Sequence, residues 1–403
     1  MIKQYKLAFG GMLVLLGTGT AHAEYVASVG VGFRHEDNLF RLSRPVSRAL
    51  GLPRSDNAFS VTADGDVDFH PGDFDVTLSG TVGQEWYDRN SNLDNFFYRV
   101  EANVARAPGA TIGFNLNART DRRLSSFADV RSQQRNIQTL HRISNETTFP
   151  ITPEIRLVLQ PDYIESQNSS RQNKVNDFRQ YGGGVGVGYF SPLGNSIALT
   201  VSRRYTDGLE DRPVLVGGTL VNSKINLVDT GINLRLRYAP SVITSISADL
   251  SYIDRKDRSI LGRDYKGPAG SVTIDYRPRE SLNASLTVGR RLDAQSFLFV
   301  DSIRTDFIDV SGRAIIADRV RAETSASYYR RRYNFDPTFA PTLIDRRDKT
   351  LRLTAGLGYR VFDHIDLGVT GAYERRRTNF VNEDYSAKSV QLTASYTFGS
   401  GRR

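Results

Sequence analysis

The sequence predicts an all-β fold, a transmembrane antiparallel up-and-down β-barrel of about 18 strands. Three observations predict it. Apolar and polar residues alternate over segments of roughly 10 residues, short turns and long polar loops join these segments in turn, and aromatic residues collect at both ends of the apolar faces. Mean hydropathy is −0.38, which a barrel allows because only alternate strand residues face lipid. We expect short periplasmic turns and longer extracellular loops.

The N-terminus is typical of an export signal. Two lysines precede the apolar run 7–16, and small residues flank a cleavage site before Glu24. The run is shorter than the ~20 residues that a membrane-spanning helix needs. We therefore predict a cleaved signal peptide over residues 1–23 and a single barrel domain over residues 24–403, in the outer membrane of a Gram-negative bacterium.

The first hairpin, from Asn57 to Trp86, shows the pattern that the later strands repeat. Between Asn57 and Phe69 apolar residues alternate strictly with polar ones, the period of a strand with one apolar face. Pro71 and Gly72 then provide turn chemistry, and the alternation resumes through Trp86. The polar face of this hairpin and of the next strand carries regularly spaced carboxylates, namely Asp64, Asp66, Asp68, Glu85 and Glu101. We predict that the first three pair with arginines on neighbouring strands.

Short turns recur about every 40 residues, the length of two strands and one long loop. They centre on Pro71-Gly72, Pro108-Gly109, Pro153, Pro192, Pro240, Pro278, Ala317-Asp318 and Phe362-Asp363. The long connections are 35–55, 88–94, 122–135, 167–177, 207–224, 254–266, 292–302, 334–347 and 378–386. Turns and loops together give about 17 connections, and hence about 18 strands with both termini at the short-turn end.

Aromatic residues mark the ends of the apolar faces, as interfacial girdles do in membrane barrels. Beside the short turns these are Phe69, Tyr189, Tyr238, Tyr276 and Tyr359. Toward the long loops they are Trp86, Tyr181, Tyr205, Tyr252, Tyr328 and Tyr373. Together with the one-sided alternation of nearly every strand, this favours lipid over water as the environment of the apolar face.

Arginine on the polar face is the strongest chemical signal. The residues with this parity are Arg99, Arg119, Arg156, Arg204, Arg235, Arg237, Arg291, Arg313, Arg321, Arg331, Arg352, Arg360 and Arg376. A guanidinium is permanently charged and matches carboxylate or phosphate groups, so these residues are candidates for a pore lining along the path of an anionic substrate. The alternative is a ladder of ion pairs that only holds the wall together, using the five carboxylates named above with Asp162, Asp249, Asp275, Asp309, Glu323 and Glu374.

Basic clusters lie at the extracellular loop ends and have two interpretations. They are Arg122-Arg123, Arg203-Arg204, Arg330-Arg331-Arg332, Arg346-Arg347 and Arg375-Arg376-Arg377. They could form an electropositive funnel at the mouth or contact the phosphates of lipopolysaccharide. Nucleic-acid binding is disfavoured, because no nucleic-acid-binding fold accompanies the charge.

Signals for enzymatic chemistry are weak. The chain has no cysteine, and His141 and Ser144 have opposite parity in one predicted strand, which disfavours a shared catalytic site. The glycine run 182–188 lacks the Gly-Lys-Ser/Thr ending of a phosphate-binding loop, so it more simply bends a wall strand or leaves room for an inward loop. We expect no catalytic residues, no metal site and no cofactor.

One motif follows the first strand directly. It comprises Glu36, Asp37, Asn38, Leu39, Phe40, Arg41 and Leu42. It resembles a signature of the EpsL-type outer-membrane barrels encoded with exopolysaccharide biosynthesis genes, within a wider group of β-barrel porins; Glu36 stands where that family commonly has aspartate. The resemblance implies a conduit for a secreted polysaccharide. The motif itself either plugs or braces the barrel mouth or contacts the polymer.

The leading hypothesis from the sequence is therefore export of an anionic exopolysaccharide through an arginine-lined lumen. Its partners would be the anionic polysaccharide, outer-membrane lipid and lipopolysaccharide, and a periplasmic polysaccharide-export protein. The alternative is an anion-selective or general uptake porin for small solutes, with the same wall and no polymer partner.

Overall fold

The computed structural model describes residues 23–106, 112–128, 134–216, 219–259, 264–293, 300–335 and 346–399. Within these residues no helix is long and apolar enough to cross a membrane. The barrel strands are β1 (Glu24–Glu36), β2 (Asp56–Phe69), β3 (Asp75–Tyr87), β4 (Asn95–Arg106), β5 (Gly113–Leu124), β6 (Ile137–Pro150), β7 (Ile155–Asn168), β8 (Phe178–Phe190), β9 (Ser196–Gly208), β12 (Asn226–Ser241), β13 (Thr244–Asp257), β14 (Tyr265–Arg279), β15 (Leu282–Asp293), β16 (Val300–Ala317), β17 (Val320–Phe335), β18 (Arg346–Phe362), β19 (Ile365–Thr378) and β20 (Tyr385–Gly399).

The smaller elements lie in loops. A separate hairpin of β10 (Arg212–Val216) and β11 (Thr219–Ser223) occupies the connection between β9 and β12. The helix α1 (Arg44–Ala49) lies between β1 and β2, and short 3₁₀ turns span Ser91–Leu93 and Lys174–Asn176.

The described strands form one closed 18-stranded antiparallel sheet, which confirms the predicted fold. Each strand pairs with its neighbours in the chain, and β9 pairs with β12 across the small hairpin. β1 pairs with β20 over its length, for example Val31 opposite Ala394, and this closes the ring. A closed ring leaves no strand edge with unpaired backbone groups, which is the condition for a sheet in hydrocarbon.

The connections follow the predicted alternation. The start of β1 at Glu24, the end of β20 at Gly399 and the described short turns lie at one end of the barrel, and the longer loops lie at the other. Two of the predicted turn prolines do not lie in the turns themselves. Pro240 and Pro278 are among the last residues of β12 and β14. Each lies at an irregularity of the strand register, where a proline costs no ladder hydrogen bond. The turn predicted at Pro108-Gly109 and most of the predicted signal peptide lie outside the described residues.

Contacts between strands that are not neighbours identify the inner face. Arg235 of β12 forms an ion pair with Glu146 of β6, and Thr200 of β9 bonds Gln160 of β7 at 3.4 Å. Only the concave side of a barrel brings such strands together. The opposite parity is therefore the outer face, and it carries exposed apolar side chains such as Leu199, which is 56% exposed.

The predicted aromatic girdles lie on this outer face. The register places every one of the eleven residues named above at outward parity, and two cross-strand pairs stack with ring centroids 5.8 Å apart: Phe59 with Trp86, and Tyr181 with Tyr205. A closed, even-numbered barrel with an apolar belt and aromatic rims is the architecture of bacterial outer-membrane proteins.

The glycine run has a packing reason. Gly182, Gly184, Gly186 and Gly188 all lie at inward parity on β8, so this wall segment has no inner side chains. A Cβ atom at Gly186 would lie 1.9 Å from the Leu199 carbonyl oxygen. The strands approach too closely there for any other residue, which explains the run without a phosphate-binding role.

We predict that Gly186→Ala destabilises the barrel, by about 1–3 kcal/mol as for other overpacked sites. The matched control is Gly371→Ala, because a Cβ atom at Gly371 meets nothing within 4 Å. Urea unfolding in lipid vesicles measures both variants. Equal midpoints for the two alanine variants would contradict the close approach at Gly186.

Candidate functional site

The strand register places all thirteen predicted arginines at inward parity. Six of them form ion pairs with carboxylates on the inner wall. The distances are 2.9 Å for Arg119–Asp121, 2.8 Å for Arg204–Asp162, 2.8 Å for Arg235–Asp249, 3.7 Å for Arg313–Glu323, 2.7 Å for Arg352–Glu374 and 3.3 Å for Arg360–Asp366. For these residues the ladder interpretation describes the observed contacts.

Three further arginines of the set have surroundings of other kinds. Arg156 is 2% exposed and donates to the Pro153 carbonyl. Arg291 lies over the rings of Phe307 and Tyr329, at 5.6 and 5.9 Å. Arg331 lies opposite Asp348 in the strand register.

Three arginines of the set, Arg99, Arg237 and Arg321, have no ion pair or hydrogen bond with the described residues. Arg142 on β6 also has no ion pair or hydrogen bond with the described residues. It is not among the thirteen arginines predicted from the sequence. Arg142 lies directly opposite Arg119, whose own charge is compensated by the buried Asp121. The side chains of Arg99, Arg142 and Arg237 are exposed on the inner face, so they can meet a solute.

Two aspartates of β2 bond to hydroxyl groups and not to arginines. Asp64 accepts a bond from the Thr81 hydroxyl at 2.7 Å, and Asp68 from the Thr77 hydroxyl at 2.6 Å. Pairing of these two carboxylates with arginine is therefore wrong in the described structure. The reason is register: the residues opposite Asp64 are Ser28 and Thr81.

The other three acidic residues of the predicted group differ from one another. Glu85 pairs with Arg34 at 2.8 Å, an inward arginine of β1 that is absent from the predicted set although the alternation of β1 places it on the polar face. Glu101 accepts a bond from Asn117 at 2.9 Å. Asp66 lies at inward parity between these strands.

A cavity of about 800 Å³ lies against the inner wall formed by β6, β7, β9 and β12–β15. Its lining contains more arginines than carboxylates. The inward charged residues are Arg142, Arg204, Arg235, Arg237, Arg255 and Arg291, against Glu146, Asp162, Asp229 and Asp249. Arg237 also borders a second cavity of about 960 Å³ toward the short-turn end.

The carboxylates of this cavity form ion pairs with neighbouring arginines. Arg255 holds Asp229 through two bonds of 2.7 and 2.8 Å. Arg235 pairs with both Glu146 and Asp249, so this trio keeps one net negative charge. The six inward arginines still outnumber the four carboxylates, and Arg142 and Arg237 are the members of the lining with no carboxylate partner among the described residues.

The first loop, residues 37–55, folds into the mouth of the barrel. Leu39 and Phe40 are 4% and 5% exposed and pack with Leu93, which is fully buried. Phe40 also meets Phe127 of the β5–β6 loop edge to face, with centroids 5.0 Å apart. Two loops thus join over one side of the lumen.

The family-like motif supplies the bonds that hold this loop. The Asn38 side chain donates to the carbonyls of Leu42 and Ser386 at 2.9 and 2.8 Å. Arg41, with a φ of 57°, donates to the Asn38 carbonyl at 2.7 Å and pairs with Glu36. Arg41 also reaches Glu374 on β19, at 3.5 Å.

The rest of the motif is anchored in the same way. Asp37 exchanges two bonds with Lys388 of β20, its amide donating at 3.0 Å and its carboxylate accepting at 2.7 Å. Helix α1 follows directly and is capped by Ser43, whose hydroxyl accepts from the Val46 amide at 3.5 Å. These contacts support a bracing role for the motif.

A charged network, the mouth network, lies on the inner side of β18–β20. It comprises the buried residues Arg346, Asp348, Glu374 and Arg376 and the partly exposed Glu383 of the β19–β20 loop. Arg346 contacts Asp348 at 2.7 Å and Glu383 at 2.8 Å. Burial raises the pKa of the Glu383 carboxyl above its ordinary value, although the nearby Arg346 acts in the opposite direction. Arg376 donates to the Ala128 carbonyl at 2.9 Å, which ties the β5–β6 loop to the far side of the mouth.

The only histidine and serine considered for catalysis are separated as expected from their parity. His141 bonds the Thr120 hydroxyl at 2.8 Å on the outer face, whereas Ser144 borders the inner cavity. Within the described residues no group of three or more histidine or acidic side chains could hold a metal ion.

We predict that Arg41→Ala releases the first loop from the mouth. The variant loses charge-assisted hydrogen bonds worth about 1.5–3 kcal/mol each, so protease cleavage within residues 37–55 should accelerate by an order of magnitude or more. Arg48→Ala, in helix α1 of the same loop, is the control. Unchanged cleavage of the Arg41→Ala loop would show that the motif does not brace the mouth.

No protein-family model matches this sequence, and no curated protein sequence matches it. The EpsL-type resemblance therefore rests on the motif alone. Solved structures with a similar barrel include Pseudomonas aeruginosa OpdQ, at 12% identity and a TM-score of 0.45, covering 95% of this chain and 100% of that one. P. aeruginosa OccK7 (OpdD) gives 12% identity and a TM-score of 0.46, with 95% and 100% covered.

Acinetobacter baumannii OccAB3 gives 11% identity and a TM-score of 0.44, covering 94% of this chain and 100% of that one. At these scores the likenesses carry no argument about substrate. The assignment to an outer-membrane barrel therefore rests on this chain's own closed ring, apolar belt and aromatic rims.

Proposed function

We propose that this protein is an outer-membrane diffusion channel that favours small anionic solutes. The observation that carries the proposal is the state of Arg142 and Arg237. Both are exposed on the inner face beside the cavity of about 800 Å³, and neither has a carboxylate partner among the described residues. A fixed positive charge in a confined lumen raises the local concentration of anions and lowers that of cations.

The dimensions support small solutes over a polymer. Cavities of about 800 and 960 Å³ are in the range that holds single small molecules, ~300–1,000 Å³. The first loop and the β5–β6 loop narrow the lumen on the extracellular side, where Phe40 meets Phe127. A polysaccharide would need this constriction to open.

The acidic residues of β2, together with the arginines of β12, give the electric field in the lumen a direction across the barrel. In the ring of strands β2 lies nearly opposite β12, which carries Arg235 and Arg237. The hydrogen-bond partners of Asp64 and Asp68 include neutral threonine hydroxyls, and no arginine or lysine of the described residues pairs with either carboxylate. A transverse field of this kind orients a solute that carries both a negative group and a positive or dipolar one.

Export of an anionic exopolysaccharide is the second candidate, supported by the resemblance of residues 36–42 to the EpsL-type signature. Here the motif residues make bracing contacts within the protein. The motif therefore supports a common mouth structure more directly than contact with a polymer.

The reversal potential of the purified channel is measured in a planar bilayer under a KCl gradient. We expect its sign to show that chloride is more permeant than potassium. The double variant Arg142→Gln/Arg237→Gln should lower the chloride-to-potassium permeability ratio by roughly fivefold. The reason is that each guanidinium charge changes the energy of an ion in the water-filled lumen by about 1 kcal/mol or less. The control is Arg122→Gln/Arg203→Gln, which removes two arginines from the outer face.

Three outcomes decide between the candidates. Cation preference of the native channel, or no effect of the inner double variant, would contradict the anion-channel proposal. Block of the current by the producing organism's own polysaccharide, with no preference for small anions, would favour the exporter.

A further inference from the structure

The predicted basic clusters are divided by strand parity between the two faces of the wall. In Arg330-Arg331-Arg332 the middle residue points inward and the outer two point outward, and Arg375-Arg376-Arg377 behaves in the same way. Neither the funnel nor the lipopolysaccharide interpretation therefore describes a whole cluster. The outward members of four adjacent strands, β16–β19, come together on the external surface.

These residues form the outer basic patch, which consists of Arg304, Arg330, Arg332, Lys349, Arg375 and Arg377. The register sets like charges directly opposite one another. Arg304 faces Arg332, Arg330 faces Lys349, and Lys349 faces Arg377. Directly opposed side chains in an antiparallel pair are about 4.5–5.5 Å apart at Cβ, and like charges there are destabilising.

Acidic residues compensate little of the charge of the patch. Among the described side chains, one outward carboxylate, Asp306, lies opposite Arg330, and it is also held by Arg290 at 2.5 Å. The Nε atoms of Arg304, Arg330 and Arg332 are buried and have no hydrogen-bond partner. Buried donors and crowded cations of this kind need an external anion with several acceptor oxygens.

The position of the patch indicates what carries that anion. Closer to the membrane centre, the outer face of the same strands is apolar. Ile308 is 44% exposed there and Leu351 is 36% exposed. Tyr328 of the upper aromatic rim is 39% exposed and lies directly opposite both Ile308 and Leu351. A ligand that satisfies both zones has phosphate groups directly above acyl chains.

We propose that the outer basic patch binds the phosphorylated glucosamine headgroup of lipid A in the outer leaflet, with the acyl chains along the apolar belt of β16–β18. Arginine forks match phosphate oxygens in bidentate geometry, and basic residues near a membrane surface attract anionic headgroups by about 1 kcal/mol each. The site is separate from the lumen, so this proposal does not depend on the transport function.

The test uses the full-length protein purified without lipopolysaccharide in a neutral detergent. Binding of diphosphorylated lipid A is titrated and compared with dephosphorylated lipid A and with inorganic phosphate. The patch variant is Arg330→Gln/Arg332→Gln/Arg375→Gln. The matched control is Arg122→Gln/Arg179→Gln/Arg203→Gln, three outward arginines of the same rim that contact Phe96, Glu165 and Tyr205.

We expect saturable binding of diphosphorylated lipid A to weaken on the order of tenfold to a hundredfold in the patch variant, and to stay within twofold in the control. Unchanged planar-bilayer conductance of the patch variant verifies that the barrel is intact. Equal binding by the patch variant, an equal loss in the control, or equal binding of dephosphorylated lipid A would overturn the proposal. Inorganic phosphate binding as tightly as the lipid would assign the patch to free phosphate and overturn the lipid assignment.

Discussion

The structure depends on closure of the backbone hydrogen-bond ring between β1 and β20. In hydrocarbon an unpaired amide or carbonyl costs several kcal/mol, so a sheet that faces lipid must have no edge. Closure forces every strand to present one face to lipid and the other to the lumen. The strict period-2 alternation of the sequence is the consequence of this single constraint. The same constraint places adjacent residues such as Arg331 and Arg332 on opposite faces of the wall.

Charge in this barrel is arranged by the same rule. Inward arginines that lie near carboxylates form pairs that stiffen the wall, as Arg204 does with Asp162. Those without such neighbours, such as Arg142, keep a free charge toward the cavity. In the outer basic patch, charge lies at the rim above the apolar belt, at the level of headgroups and not of acyl chains. One chain therefore uses arginine for wall stability, for the lumen field and for the membrane boundary.

The sequence predicted the strand number, the connection pattern, the girdles and the parity of the arginines, because each follows from a local period or from composition. It could not predict the partners. Arg235 and Glu146 are far apart in sequence, and their contact depends on barrel curvature. Arg142 was missed because β6 is polar on both faces, with His141 outside and Ser144 inside, which obscures the alternation. The acidic hairpin was misjudged because hydroxyls, and not arginines, lie opposite Asp64.

The central claim is that parity alone decides which residues meet the lumen. The native chain has no cysteine, so single cysteines report position without background. Arg142→Cys and Ile143→Cys, neighbours of opposite parity, are each exposed to a membrane-impermeant anionic thiosulfonate during planar-bilayer recording. The account predicts modification and a reduced current at position 142, and no reaction at position 143. Reaction at position 143 without reaction at position 142 would contradict it.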